Sequence, residues 1–162
     1  DAGELALEKI EEEDNDLDSF YIRKPIFFKA TETISSFEQS LESVDEDEGR
    51  TDILFIFDDE EDEEEITFIY DLDWSVLEKN NIGKIYITGD RAYDLGLCIR
   101  YMTGAGKKLT VDTNEDMVAE QAIGGKGEKL YIIAKGQADK DPMKILKAME
   151  KKWSRNKSWT GR

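Results

Sequence analysis

The sequence has no histidine and a single cysteine, Cys98. Without histidine, the chain cannot form a Ser-His-Asp or Cys-His pair, supply a histidine general base or bind zinc through imidazole. One thiol cannot form an intrachain disulfide or a zinc site of several thiolates, and it fits a reducing cytoplasm. Because Cys98 lies among apolar residues, we expect a packed thiol rather than a nucleophile. Any chemistry of this chain alone must use carboxylates or lysines.

Long apolar runs and nucleotide-binding glycine motifs are also missing. No stretch approaches the ~20 apolar residues of a membrane helix, and there is no secretory leader pattern. We therefore expect a cytoplasmic chain that does not span a membrane. The pairs Gly106-Lys107 and Gly125-Lys126 lack both the earlier glycine and the following Ser or Thr of a phosphate-binding loop. We expect this chain itself to hold no cofactor and no metal.

Positive charge is scarce, because 22 Lys and Arg residues face 38 Asp and Glu residues and the net charge is −16. Such a surface repels phosphate, so nucleic acid is not an expected partner. We predict an acidic linker or tail over residues 1–20, one domain over 21–152 and a basic tail over 153–162. The acidic loop Asp58–Glu65 does not match a calcium loop. It is either a solvated charge run or, because it follows a predicted central strand, the source of a functional carboxylate.

Strand and helix patterns alternate along the domain. Apolar, β-branched and aromatic runs predict six strands, at residues 25–29, 52–57, 66–70, 85–87, 108–111 and 129–134. Helices are predicted to start near Thr31 or Thr33, Asp73, Asp90, Thr113, and Asp139 or Asp141. In the first of them, the apolar spacing predicts a buried face of Ile34, Phe37, Leu41 and Val44. The alternation predicts an α/β domain with a mostly parallel sheet of about six strands and helices on both faces.

Residues 83–101 (GKIYITGDRAYDLGLCIRY) show the clearest change from strand to helix period. The predicted buried side of the helix comprises Ala92, Leu95, Ile99 and Met102, with Leu97 and Cys98 on or near it. The turn between the strand and the helix consists of Thr88, Gly89, Asp90 and Arg91. Its N–H groups can receive an anion with help from Arg91. In the alternative interpretation, Asp90 caps the helix and Arg91 is a surface residue.

Two segments resemble a known family. Residues 68–74 (FIYDLDW) and 87–95 (ITGDRAYDL) resemble the aromatic segment and the following strand–turn–helix of the C-terminal domain of MurT-type Mur ligases. Residues 36–41 (SFEQSL) resemble a third segment of that domain, without its Asn-Pro. The resemblance extends over residues 24–150, and it includes related archaeal ligases of pseudomurein synthesis.

This resemblance implies a Rossmann-like three-layer domain of an ATP-dependent amide ligase in cell-wall precursor synthesis. The domain would be inactive alone, because the P-loop and the ATP and Mg²⁺ sites belong to the central ligase domain. In the MurT branch, the domain also contacts a GatD-like glutaminase subunit and supplies an aspartate that orients the histidine of its Cys-His pair. The matching acids are Asp62 and Glu65, although residue 65 is glutamate rather than aspartate. Asp71 is a third candidate carboxylate.

A different class of function also stays open. The chain can be a non-enzymatic α/β interaction domain that docks a partner through its acidic loop or basic tail. A P-loop motif upstream of Asp1 would favour the ligase, whereas a native start close to Asp1 would favour the interaction domain.

Overall fold

The computed structural model describes residues 24–31, 33–58 and 63–135. This part of the chain contains five strands: β1 (Ile26–Thr31), β2 (Thr51–Phe57), β3 (Ile82–Thr88), β4 (Leu109–Val111) and β5 (Lys129–Lys135). Its α-helices are α1 (Ile34–Glu46), α2 (Ala92–Met102) and α3 (Glu115–Ile123). Short 3-10 helices cover Glu63–Asp71, Ser75–Glu78 and Ala105–Lys108. The predicted tails and the helix expected from Asp139 or Asp141 lie outside the described residues.

The strands form one parallel sheet in the order β1-β5-β2-β3-β4. All seven residues of β2 are buried, as expected for a central strand of a sheet covered on both faces. On one face, Ile53, Phe55 and Phe57 pack in a core shared with α1 and α2. On the other face, Leu54 and Ile56 pack in a core shared with α3. The structure confirms the α/β, Rossmann-like architecture, with five described strands rather than six.

The predicted strand over residues 66–70 is wrong. These residues belong to the 3-10 helix Glu63–Asp71, which lies over the face of the sheet that carries α1 and α2. Phe68 and Ile69 are both buried there, whereas a strand with one covered face would have buried alternate residues. The Trp74 side chain holds the segment in place, because its Nε1 donates to the Ile69 carbonyl at 2.7 Å. The β-branched and aromatic composition correctly indicates burial, but the backbone is a 3-10 helix rather than the strand that this composition predicts.

Helix α1 begins after Thr33, one of the two residues predicted to cap it. The Thr33 hydroxyl accepts from the Ser36 amide at 3.1 Å, and the Ser36 hydroxyl accepts from the Thr33 amide at 3.0 Å. This capping box satisfies two N–H groups at the helix start. Phe37, Leu41 and Val44 are buried as predicted, but Ile34, in the first turn, is 47% exposed.

Helices α2 and α3 follow the sequence pattern only in part. Ala92, Leu95, Cys98 and Ile99 are buried as expected. Leu97 and Met102 are not buried, with exposures of 63% and 40%, because the sheet covers only one side of the helix. Helix α3 starts one residue later than a Thr113 cap would place it, since the Asn114 side chain accepts from the Met117 amide. No helix among the described residues is long and apolar enough to cross a membrane.

Candidate functional site

The candidate acids follow the carboxyl end of β2, and the structure separates them. Asp62 lies outside the described residues, and Glu65 lies in the 3-10 helix Glu63–Asp71. Asp71 ends that helix and is exposed. Six residues of 3-10 helix span about 12 Å, so Glu65 and Asp71 do not form one constellation.

Contacts of Phe68 place the middle of this 3-10 helix beside the carboxyl edge of the sheet. The Lys135 ammonium, at the end of β5, lies 5.5 Å from the Phe68 ring and 6.0 Å from the Phe57 ring. The Asp58 amide also donates to the Lys135 carbonyl at 3.0 Å. Glu65 precedes Phe68 by three residues, a rise of about 6 Å along a 3-10 helix. Phe68 therefore lies close to the ends of β2 and β5, the edge where parallel sheets usually bind ligands, and Glu65 is on the same 3-10 helix.

Asp71 lies in a different place, an acidic cleft of about 370 Å³ between α1 and the segment 71–79. The carboxylates that line it are Glu38, Glu42, Asp45, Asp71 and Asp73. Lys79, its single lining cation, pairs with Asp45 at 3.2 Å and also donates to the Asp45 carbonyl. Hydrogen bonds from Ser75 hold the pKa of Asp73 below its ordinary value. The cleft therefore stays negatively charged at neutral pH and attracts cationic groups.

The turn Thr88–Arg91, the predicted ligand contact, is bonded to the end of β2. Its Asp90 amide donates to an Asp58 carboxylate oxygen at 2.8 Å, and its Arg91 amide donates to the Phe57 carbonyl at 3.0 Å. Gly89 makes this approach possible, because its φ is +102° and a Cβ there would collide with the Phe57 carbonyl. These bonds engage two of the N–H groups that an anion would require. The ligand role of the turn stays a prediction.

The predicted Asp90 cap of α2 is wrong. The residue at the cap position is Arg91, and its side chain makes no capping hydrogen bond. The helix begins one residue later because the Gly89 conformation directs the Asp90 and Arg91 amides toward β2. The Arg91 guanidinium instead pairs with Asp94 at 2.8 Å, on the first turn of α2.

Two further side chains of this region are buried. Thr88 is fully buried, and its hydroxyl oxygen has no hydrogen-bond partner among the residues that the structure describes. Cys98 is also fully buried, and burial raises the pKa of its thiol to about 11. Its sulfur contacts the Ile69 carbonyl at 3.5 Å. The packed thiol expected from the sequence is confirmed, and its raised pKa keeps it protonated at neutral pH.

A buried charged cluster at the amino edge of the sheet was missed in the sequence. Asp52 is 2% exposed, and its carboxylate accepts from the Lys84 amide at 2.8 Å and from the Gly127 amide at 3.0 Å. Lys24 is 8% exposed and donates to the Gly125 carbonyl at 2.9 Å. Burial lowers the pKa of Lys24, while the negative charge of Asp52 raises it. The available signal is the acid Asp52 at the start of the otherwise apolar run DILFIF, a pattern that by itself predicts only a strand.

The described residues do not form a site for a divalent cation. They contain no group of three or more Asp, Glu, Cys or His side chains placed to hold a metal ion.

Comparison with known proteins identifies the family. The family model described as MurT ligase C-terminal matches residues 35–138. The match runs from α1 through β5 and includes the 3-10 helix with Glu65, the turn Thr88–Arg91 and the acidic cleft. A search of curated proteins finds no match. Since the family model covers well over half of the sequence, the chain belongs to the MurT ligase C-terminal family.

Proposed function

We propose that this chain is the C-terminal domain of an ATP-dependent amide ligase that acts on cell-wall precursors in the cytoplasm. The family match over residues 35–138 supports this proposal. The sequence has no P-loop, so ATP and Mg²⁺ would be bound by the central domain of the full ligase. There, ATP activates a carboxylate and an amine completes the amide. On this proposal the domain has no ligase activity alone.

The domain would also complete the active site of a GatD-like glutaminase subunit. The observation that supports this step is the position of the 3-10 helix Glu63–Asp71, which contains Glu65 and whose Phe68 contacts Lys135 at the carboxyl edge of the sheet. The chain has no histidine and its thiol is buried and protonated, so the nucleophile and base must come from the partner. What the chain can add is a carboxylate that accepts the partner's imidazole N–H and stabilises the imidazolium. Asp62 and Glu65 are the candidates.

The other predicted residues take secondary places in this proposal. Asp71 lies about 12 Å from Glu65 and would face a cationic surface rather than the same histidine. The turn formed by Thr88, Gly89, Asp90 and Arg91 lies at the carboxyl edge as Glu65 does, and it would contact the ligand or the adjoining ligase domain there.

The test compares two nitrogen sources in the assembled complex of ligase and glutaminase. If Glu65 or Asp62 is the donated acid, Glu65→Gln or Asp62→Asn should lower glutamine-driven amide formation by about 100-fold or more. Amide formation driven by free ammonia should stay within about twofold of the unmodified enzyme, because ammonia bypasses glutamine hydrolysis.

Asp71→Asn provides the matched control, since it removes an exposed carboxylate outside the proposed contact. This variant should leave amide formation from glutamine and from free ammonia at the rates of the unmodified enzyme. Full glutamine-driven activity in both the Asp62→Asn and the Glu65→Gln enzymes would exclude the donated-acid role.

A further inference from the structure

The amino edge of the sheet carries a second polar cavity, at the opposite ends of the strands from Glu65. It has a volume of about 780 Å³ and lies between the starts of β2 and β3 and the C-terminal end of α3. Small-molecule sites usually occupy about 300–1,000 Å³. The proposed ligase function makes no use of this cavity.

Like Asp52, Tyr86 is a buried polar side chain that lines this cavity. It is 7% exposed, and its hydroxyl makes no hydrogen bond to any residue that the structure describes. The hydroxyl lies 3.0 Å from the position that a Cβ on Gly125 would take, so it points to the cavity wall formed by that glycine. Tyrosine hydroxyls at buried positions usually find a hydrogen-bond partner. The hydrogen-bonding capacity of this phenol is therefore directed to whatever enters the cavity.

Three cations surround the same cavity, in a chain whose net charge is −16. They are Arg50, Lys84 and Lys126, and none of their side chains forms an ion pair within the described residues. Arg50 lines the cavity, and its Nε lies 3.7 Å from the position of a Cβ on Gly83, near the start of β3. Unpaired cations that converge on one cavity favour an anionic ligand.

The acidic groups at this cavity do not cancel the positive charge. Asp52 uses its two oxygens for the Lys84 and Gly127 amides, and the buried Lys24 lies close enough for its charge to interact with this carboxylate. Glu120 is the other lining carboxylate. The lining therefore carries three cations and two carboxylates, and Lys24 adds a positive charge near Asp52 behind it.

We propose that this amino-edge cavity binds a small molecule through a phosphate group. The Tyr86 hydroxyl donates one hydrogen bond, and the Arg50 guanidinium can donate two in the fork that suits phosphate oxygens. Lys84 and Lys126 neutralise the remaining charge. Met117 and Gln121 form the wall that would contact the rest of the ligand. Position 125 requires glycine, because a Cβ there would stand 2.8 Å from an Asp52 oxygen and 3.0 Å from the Tyr86 hydroxyl.

The test titrates the full 162-residue chain with inorganic phosphate up to about 20 mM, a range that covers weak millimolar affinity, at constant ionic strength set with chloride. Amide NMR signals of Lys84, Gly125, Lys126 and Gly127 should shift and saturate. Tyr86→Phe should weaken phosphate binding about fivefold, because it removes one hydrogen bond to a charged ligand. Pyrophosphate distinguishes the sources, since tighter binding indicates a diphosphate-bearing molecule and equal binding indicates a single phosphate.

Lys126→Gln and Lys107→Gln form a matched pair, since each removes one exposed lysine and Lys107 does not line the cavity. Lys126→Gln should weaken binding severalfold, and Lys107→Gln should not. Shifts that never saturate, or an equal loss in the two variants, would overturn the proposal by showing general charge screening. Saturation at Gly89–Arg91 alone would overturn it too, because phosphate would then occupy the carboxyl edge. An unchanged unfolding midpoint of Tyr86→Phe excludes misfolding as the cause of its weaker binding.

Discussion

Asp47 shows how a single carboxylate connects the end of α1 to β5. Its side chain accepts from the Lys129 ammonium at 2.6 Å and from the Tyr131 hydroxyl at 3.0 Å. Burial raises the pKa of Asp47, but hydrogen bonds from Lys129, Gly49 and Tyr131 outweigh burial and hold it below its ordinary value. Burial, and after it the same carboxylate, raises the pKa of Tyr131, so this phenol stays protonated.

The depressed pKa of Asp47 predicts a pH-dependent contribution to stability. Because the folded protein holds the ionised carboxylate more favourably than the unfolded chain does, this contribution is present above the ordinary pKa of about 3.9. It is lost as the pH falls through the lower folded pKa. Asp47→Asn should therefore reduce the free energy of unfolding most at pH 7, and the difference from the unmodified protein should shrink below about pH 4.

Urea unfolding at a series of pH values measures this difference. Asp71→Asn is the control, because its carboxylate is exposed and its loss should leave the free energy of unfolding nearly unchanged at each pH. A difference for Asp47→Asn that grows as the pH falls would contradict the assignment.

At the scale of elements, the link from β3 to α2 is the connection that decides the geometry of the carboxyl edge. The turn crosses from β3 to the end of β2, where Asp58 and Phe57 accept two of its amides. Only a residue without a Cβ fits at Gly89, given its φ of +102° and the adjacent Phe57 carbonyl. The turn therefore fixes β2, β3 and the start of α2 relative to one another.

Replacing Gly89 should be costly for this reason. Gly89→Ala should lower the free energy of unfolding by about 2 to 4 kcal/mol, since it combines an unfavourable φ with a steric collision. Gly106→Ala is a matched control, because a Cβ there would meet only the Arg100 side chain, at an ordinary 3.5 Å. Urea denaturation of the two variants provides the comparison. Equal stabilities would show that the turn tolerates a side chain and that the tie to β2 is weak.

Local signals predict some of these elements and fail for others for physical reasons. The fully apolar run in β2 and the Thr33 cap of α1 were predictable, because burial on both faces and a capping box leave direct traces in sequence. The 3-10 helix over residues 66–70 was not predictable in this way. Strand propensity measures how well a side chain fits a half-buried surface, and it does not determine the backbone conformation. The predicted Asp90 cap was wrong because the Asp90 and Arg91 amides donate hydrogen bonds to residues at the end of β2.

The candidate site was predictable only to the level of segments. The acidic stretch after β2 and the turn Thr88–Arg91 lie at the carboxyl edge, as strand order implies. The distance between Glu65 and Asp71 depends on the 3-10 helix that the sequence pattern did not reveal. The cluster of Lys24, Asp52 and Tyr86 joins residues far apart in sequence, so only the parallel pairing of β2 and β3 and the position of α3 bring it together.

At the scale of the whole molecule, the two edges of the sheet differ in the groups that they carry. The carboxyl edge carries the 3-10 helix with Glu65 and the turn Thr88–Arg91. The amino edge carries a cavity rimmed by Arg50, Lys84 and Lys126. A domain arranged in this way can offer a carboxylate to a partner at one edge while it binds an anion at the other. Neither role needs a nucleophile or a histidine from this chain.

The most direct test of the proposed partnership is the rate of glutamine hydrolysis by the GatD-like glutaminase subunit. It would be measured for the subunit alone, with the intact ligase, and with a ligase from which this domain has been removed. The account predicts at least about a 100-fold increase with the intact ligase and no increase with the shortened one, because the triad acid comes from this domain. Full hydrolysis by the subunit alone, or by the subunit with the shortened ligase, would contradict it.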